Sequence, residues 1–277
     1  MSRILDKSRL SELIWRMRIE APRIARRRKA GQFIILRPTT DCERIPLTIA
    51  NAGEEWIEII FQTAGATTMK LAALEIGDEI SDLAGPLGNP THIENFGSVL
   101  CIGGGVGIAP LFPIVTALKD AGNIVTTILG ARNSGLIILE DEMRKVCDEV
   151  FVSTDDGSAG RKGFAVDIMD ELVASGGKFD QAFIIGPTMM MKISAQKTIA
   201  HNIPTMVSLN PIMIDGTGMC GGCRVTVSGQ TKFACVDGPE FDAAGIDWDT
   251  LLKRMGSYRQ FETTAKEDHA CHMMDVA

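Results

Sequence analysis

The sequence predicts a mixed β and α/β protein: an N-terminal antiparallel β-barrel, a doubly wound parallel-sheet domain and a small cysteine-bearing C-terminal lobe. Three observations carry this. Short apolar runs split by Gly, Pro, Asn and Asp fill the first third of the chain, the spacing of a small barrel. From Ser98 the strands alternate with helices and end in glycine or aspartate, which implies a parallel sheet. Beyond residue 210, three of the seven cysteines fall between 220 and 235. The expected boundaries are 1–96, 97–209 and 210–245. Residues 246–277 are expected to form a helix and tail that contact a partner.

Bulk composition narrows the function. A chain of 277 residues suits two domains and a small third. With 45% hydrophobic and 23% charged residues it should pack a core. Its net charge of −7 argues against a nucleic-acid partner and is compatible with docking to another protein. No apolar run is long enough for a membrane span. Met1 to Ala21 carries charges throughout, so no signal peptide is expected. Cys42, Cys101 and Cys147 lie far apart and imply no disulfide framework, which points to a reducing, cytoplasmic setting. Most of the 14 methionines are expected in the core.

In the first part, strands are expected at 31–36, 45–50, 56–61 and 79–83. A short helix is expected at 69–74, and a dense turn at Gly85-Pro86-Leu87-Gly88-Asn89-Pro90. Arg44-Ile45-Pro46-Leu47-Thr48 places a guanidinium and a hydroxyl at one strand end, a planar fork suited to a diphosphate. Gly65-Ala66-Thr67-Thr68 opens the helix with hydroxyls and free N–H groups that suit an anion. Each is a weak signal alone, because such residues more often are solvated or cap the helix.

The strand Ser98–Ile102 runs into Gly103-Gly104-Gly105-Val106-Gly107-Ile108-Ala109-Pro110, and a helix is expected over 111–121. Strand, glycine turn and helix together are the setting of a phosphate-binding loop. Further strands are expected at 124–129, 149–154, 181–185 and 205–209, with helices at 139–146, 164–174 and 188–201. Arg132, Asp155, Asp156, Gly186 and Pro187 all fall at the strands' carboxyl ends, where such sheets bind ligands.

In the lobe the spacing is Asp215-x4-Cys220-x2-Cys223-x11-Cys235. It is the plant-type [2Fe–2S] spacing with Asp215 in the first ligand position. Three readings stay open: a [2Fe–2S] cluster with one carboxylate and three thiolates, zinc on the same residues, and reduced thiols without metal. The glycines around the cysteines favour iron–sulfur, since they let backbone approach sulfur. A hairpin is expected around Ser228-Gly229-Gln230. The ending His269-Ala270-Cys271-His272 lacks a fourth ligand and a rigid frame, and is not read as a metal site.

These motifs together resemble the ferredoxin–NADP reductase superfamily, in the branch of dihydroorotate dehydrogenase electron-transfer subunits. Within that branch the chain is most similar to the small subunits of NADH-dependent reduced ferredoxin:NADP oxidoreductases, also called sulfide dehydrogenase β subunits. The resemblance covers nearly the whole chain. It implies FAD held by Arg44, Pro46, Leu47, Thr48, Gln62, Gly65, Thr67 and Thr68. It implies NAD(H) held by Gly104, Gly105, Gly107, Ala109, Pro110, Arg132, Asp155, Asp156, Gly186, Pro187 and Met189. It implies [2Fe–2S] on Asp215, Cys220, Cys223 and Cys235. Two departures stand out. The flavin-strand arginine of the superfamily lies three residues before the Ser/Thr, where this chain has Ile45. Asp215 replaces the first cysteine of the dihydroorotate branch, which is why the ferredoxin:NADP branch is preferred.

The resemblance further implies hydride exchange between NAD(H) and FAD, with single electrons relayed through the cluster and no conventional catalytic acid or base. The partner would be a larger flavoprotein subunit with [4Fe–4S] clusters, FAD and the NADP(H) site, and ferredoxin would be met through that subunit. The alternatives are an electron-transfer subunit of dihydroorotate dehydrogenase or another NAD-linked oxidoreductase, and a zinc-stabilised nucleotide-binding regulator. A dihydroorotate-dependent reduction of NAD separates the first, and a colourless zinc protein the second.

Overall fold

Residues 2–258 and 261–264 are described by the computed structural model of the chain. Its first residues form strands although charges recur along them. β1 (Ser2–Arg9) and β2 (Ile14–Glu20) pair antiparallel, Lys7 opposite Met17 and Arg9 opposite Trp15. Ile4, Ile14, Met17 and Ile19 are fully buried. Lys7 and Arg9 lie over the Trp15 ring, 4.7 and 5.6 Å from its centre. These two strands were not among those expected. Their cations cover apolar surface with long stems and mask the alternation.

After α1 (Pro22–Ala25) come β3 (Phe33–Arg37), β4 (Ile45–Thr48), β5 (Asn51–Ala52), β6 (Trp56–Gln62), α2 (Ala66–Ala73), β7 (Glu79–Ile80) and β8 (Asp82–Leu87). They make two antiparallel sheets, β5-β6-β2-β1-β7 and β4-β3-β8. Ile34 and Leu36 of one share a core with Met17, Ile57, Ile59 and Phe61 of the other. The turn expected over 85–90 starts later. Gly85, Pro86 and Leu87 belong to β8, with Leu87 paired to Phe33, because a register shift lets β3 accommodate them.

The second part is a seven-stranded sheet in the order β12-β11-β10-β9-β13-β14-β17. Its elements are β9 (Ser98–Gly104), α3 (Ile108–Asp120), β10 (Ile124–Ala131), α4 (Glu140–Val146), β11 (Glu149–Thr154), β12 (Arg161–Lys162), α5 (Ala165–Ala174), β13 (Gln181–Ile185), α6 (Thr188–Ala200) and β14 (Thr205–Ser208). β9 to β14 run parallel, and Val99 to Ile102 are fully buried, as expected of a strand covered on both faces. The chain winds one way from β9 to β10 and the other way from β13 to β14. The switch point therefore lies between β9 and β13. α3 starts at Ile108, three residues before the expected helix, which places Pro110 in its first turn.

The lobe holds the hairpin of β15 (Arg224–Val227) and β16 (Gln230–Phe233). Ser228 and Gly229 turn it with φ of 49° and 74°, both positive as a two-residue hairpin loop of this type requires. The lobe is not separate from the sheet. Its β17 (Glu240–Asp242) adds antiparallel to β14 as the last strand. Thr91, on the segment joining barrel and sheet, donates from Oγ1 to Glu240 Oε1 at 2.6 Å. A Cβ on Gly31 would lie 2.2 Å from that Oγ1. α7 (Trp248–Met255), expected to face a partner, packs Trp248 and Leu251 into the core, and Arg254 Nη2 donates to Gly222 O at 3.1 Å. The His269–His272 stretch lies outside the described residues. Among the described residues no helix is long and apolar enough to cross a membrane.

Candidate functional site

The carboxyl ends of β9 and β13 touch because glycine forms both. A Cβ on Gly107 would lie 2.7 Å from Gly186 Cα, and one on Gly104 would lie 2.2 Å from Met190 Sδ. Gly105 is different. Its φ is +54°, and a Cβ there would meet nothing within 4 Å. Its backbone is open to a ligand, immediately before the N-terminus of α3, where unpaired N–H groups favour anions.

This turn forms one wall of a cleft of about 760 Å³, within the range of small-molecule sites. Gly104, Gly105, Gly107, Ala109 and Pro110 line it beside Gly186, Pro187 and Met189. Arg132 and Asp155 line it as well. The opposite wall comes from the barrel: Pro46, Leu47 and Thr48 of β4, Gln62 of β6 and Thr68 of α2. Residues separated by more than a hundred positions thus meet where barrel and sheet face each other.

Four of the residues singled out from sequence do not line it. Arg44 Nη1 lies 3.2 Å from Asp82 Oδ2, on the neighbouring part of the barrel. Thr67 is buried, and Gly65 closes a local loop, its N–H donating to Thr68 Oγ1 at 3.0 Å. Asp156 accepts from Ser158 N at 2.9 Å and Ser158 Oγ at 2.6 Å, which also holds its carboxyl below the usual range. Conversely, the cleft has lining residues that no motif announced. Phe33 stands on the barrel wall, and Phe164, 60% exposed, stands near Arg132 and Asp155. Asn210 and Met213 line the side toward the lobe. Ser153 and Ser194 are 1% and 0% exposed, line the cleft, and have hydroxyls without a hydrogen-bond partner. Orphaned buried hydroxyls call for a partner, and a polar ligand would supply it. An exposed phenyl at a helix start has no sequence signature, which is why Phe164 escaped notice.

Among the described residues, Arg132 and Asp155 are the only charged ones lining the cleft. Such a wall can orient a dinucleotide against a flat ring and keep water out.

The cysteine loop sits beyond Met213. Cys223 and Cys235 are 1% exposed, with Cys223 Sγ 3.2 Å from Cys235 Sγ. Burial above all, then Cys223, pushes the Cys235 thiol up to about 12. Cys220 is exposed, and its Sγ accepts from Gly222 N at 3.4 Å. Asp215 closes the loop. Its Oδ1 accepts from Thr217 N and its Oδ2 from Cys220 N, both at 2.6 Å. Those N–H groups, Thr217 first, hold its carboxyl below the usual range. Gly216 and Gly218 have φ of +77° and +84°, which lets the loop fold back. Among the described residues no three of these groups converge as a ready-made metal site, and the paired Cys223 and Cys235 are the preformed half. The donor set, three thiols and one carboxylate with backbone N–H groups aimed at sulfur, fits an iron–sulfur cluster. A bound cation would reverse the protonation that burial imposes on Cys235.

A barrel and a switch-point sheet facing each other across one cleft, with a thiol hairpin in the lobe joined to the same sheet, define a reductase of the ferredoxin reductase type. The chain belongs to the family of dihydroorotate dehydrogenase B electron transfer subunits. Residues 210–247 match the iron–sulfur cluster binding domain of dihydroorotate dehydrogenase B, and residues 101–196 match the oxidoreductase NAD-binding domain. A Thermotoga maritima protein described as a dihydroorotate dehydrogenase B (NAD(+)) electron transfer subunit homolog is 49% identical over 269 residues, covering 96% of this chain and 95% of its own. A probable electron transfer subunit from Methanopyrus kandleri is 33% identical over 229 residues, covering 83% and 84%. A solved structure of NADH-dependent reduced ferredoxin-NADP oxidoreductase, described for flavin-based electron bifurcation, matches with a TM-score of 0.91 and 47% identity over 97% of both chains. An Amycolatopsis cytochrome P450 reductase shares the fold, with a TM-score of 0.62 and 21% identity over 73% of this chain and 66% of that one.

Proposed function

We propose that this chain is the small electron-transfer subunit of an electron-bifurcating NADH-dependent reduced ferredoxin:NADP oxidoreductase. The carrying observation is the likeness to that complex's structure along 97% of both chains, joined to the Asp215-x4-Cys220-x2-Cys223 loop. NAD(H) lies on the Gly104–Pro110 turn, with Arg132 and Asp155 at its adenosine end. Pro46, Leu47, Thr48, Gln62 and Thr68 hold the flavin on the barrel wall, and Arg44, kept by Asp82, braces that wall from behind. Asp215, Cys220, Cys223 and Cys235 hold the cluster. FAD supplies the step from hydride to single electrons, and [2Fe–2S] supplies their one-electron relay. The chain's own residues bind, orient and exclude water, consistent with a cleft that, among the described residues, has one cation and one carboxylate on its wall.

The electrons pass to a larger subunit with [4Fe–4S] clusters, a second FAD and the NADP(H) site. A second reading has one specific support: several curated relatives are described as electron transfer subunits of dihydroorotate dehydrogenase B. The two readings separate in the complex purified anaerobically. Reduction of NADP dependent on both NADH and reduced ferredoxin supports the first. NAD reduction driven by dihydroorotate, without that coupling, overturns it in favour of the second.

A further inference from the structure

Barrel and sheet are joined beside the cleft by packing and by charge. Ile14 of β2 and Ile60 of β6 lie in one buried cluster with Ile108, Leu111 and Met143 of the sheet domain. Ile60 also lines the cleft. Opposite Ile60 in the ladder stands Arg16. Its guanidinium reaches two ways. Nε lies 3.7 Å from Glu58 Oε1 on the barrel, and Nη2 lies 3.1 Å from Glu142 Oε1 on α4. Glu58 is 5% exposed, and its Oε2 accepts from Arg18 Nε at 3.0 Å. Arg18 in turn lies over the Trp56 ring at 4.4 Å. Arg18 therefore holds Glu58 in place, Arg16 Nε stays buried within ion-pair range of it without a hydrogen bond, and Arg16 offers its outer N–H edge to the sheet domain.

Glu142 matters for what precedes it. Arg132 and Leu136 line the cleft, and the chain passes from them to the start of α4 through Leu139, whose φ is 56°. Arg16 thus ties β6, which presents Ile60, Phe61 and Gln62 to one wall of the cleft, to the segment that presents Arg132 to the other.

We propose that Arg16, anchored by Glu58 and paired with Glu142, is a positioning residue that sets the spacing of the two walls and so the fit of the dinucleotide between them. The inference rests on the reading of this cleft as the meeting place of NAD(H) and flavin. The Glu142 side chain is 39% exposed against 6% for Glu58, so salt screens the outer arm and spares the inner one.

The test is flavin reduction by NADH, followed by stopped flow in the holo-complex, for wild type, E142Q and E142D from low salt to about 0.5 M NaCl. E142Q is expected to raise the apparent Kd for NADH about two- to five-fold at low salt. Flavin content, cluster spectrum and melting temperature should stay as in wild type. The variant should also lose part of the wild type's salt dependence, and E142D, which keeps the charge, should restore it. An E142Q complex with wild-type affinity and salt profile overturns the proposal. So does one that loses flavin or cluster, since that marks a merely structural role. Failure of the cleft reading looks different: NADH then bleaches the flavin in no sample, wild type included.

Discussion

Cys223 Sγ and Cys235 Sγ lie 3.2 Å apart at the two ends of one hairpin, and both residues are 1% exposed. β15 and β16 hold them there, with Ala234 N donating to Cys223 O at 3.1 Å. Cys223→Ser or Cys235→Ser should therefore remove iron from the purified chain almost completely, while the fold of the sheet domain persists. Asp215→Cys should keep the iron but change the EPR signal of the reduced cluster, and Asp215→Ala should change or abolish it. An unaltered signal in both Asp215 variants would make that residue a loop closure only, through Thr217 and Cys220.

Glycine at the switch point is required by contact rather than by φ. A Cβ at Gly107 would lie 2.7 Å from both Gly186 Cα and Ile185 O, and backbone does not yield cheaply. Gly107→Ala should cost roughly 1–3 kcal/mol by overpacking, read as a lowered Tm. NADH reduction of the flavin should fall in step. Gly105→Ala meets no atom, so its cost should come from φ alone and be smaller.

Glu240 gives the stability a pH dependence. Its carboxyl lies between barrel and sheet with Thr91 as its one hydrogen-bond donor, and desolvation raises it from 4.5 to about 7. Cys101 on β9 shares its field. The folded state then binds a proton that the unfolded state has released. This stabilisation is complete below pH 4.5 and is lost as pH rises through about 7. The loss should be on the order of 2–3 kcal/mol. Denaturant titrations at pH 5 and pH 8 measure it, and Glu240→Gln should flatten the difference.

Adjacent aspartates should behave differently. Asp155 lines the cleft beside Arg132, whereas both acceptor bonds of Asp156 go to Ser158. Asp155→Asn should lower the KM for NADPH relative to NADH, and Asp156→Asn should leave that ratio alone. Equal effects would place the adenosine ribose elsewhere.

Phe164 offers an exposed ring at the same end of the cleft. Phe164→Ala should raise the KM for NADH about three- to ten-fold through lost ring stacking, with the limiting rate little changed.

Much of this architecture was legible in the chain. The strand, glycine run and helix from Ser98 onward led to the switch point, and the hairpin around Ser228 emerged where its turn residues demanded. Less was legible where charge covers apolar surface. β1 and β2 escaped notice because Lys7, Arg9, Arg16 and Arg18 spend their charges on Trp15, Trp56 and Glu58, partners that no local pattern reveals. Arg44 reads as a diphosphate fork from the sequence, and in the fold its guanidinium pairs with Asp82 at the start of β8, across β3, a partner that no local pattern reveals.

Residue chemistry and short-range geometry are properties of the chain as written. Soft thiols at ligand spacing, a glycine run between strand and helix, and the alternation of strand with helix need no distant partner to be recognised. Which of those residues face one cleft is another matter. Barrel and sheet meet through Ile14, Ile60 and Arg16, and β17 returns from the cysteine lobe to complete the sheet. Those contacts join positions scores of residues apart, and side-chain direction at each depends on the register of a strand paired elsewhere. Only the folded chain decides that Asp155 faces the cleft and Asp156 turns away, because the bend that separates them is held by Ser158.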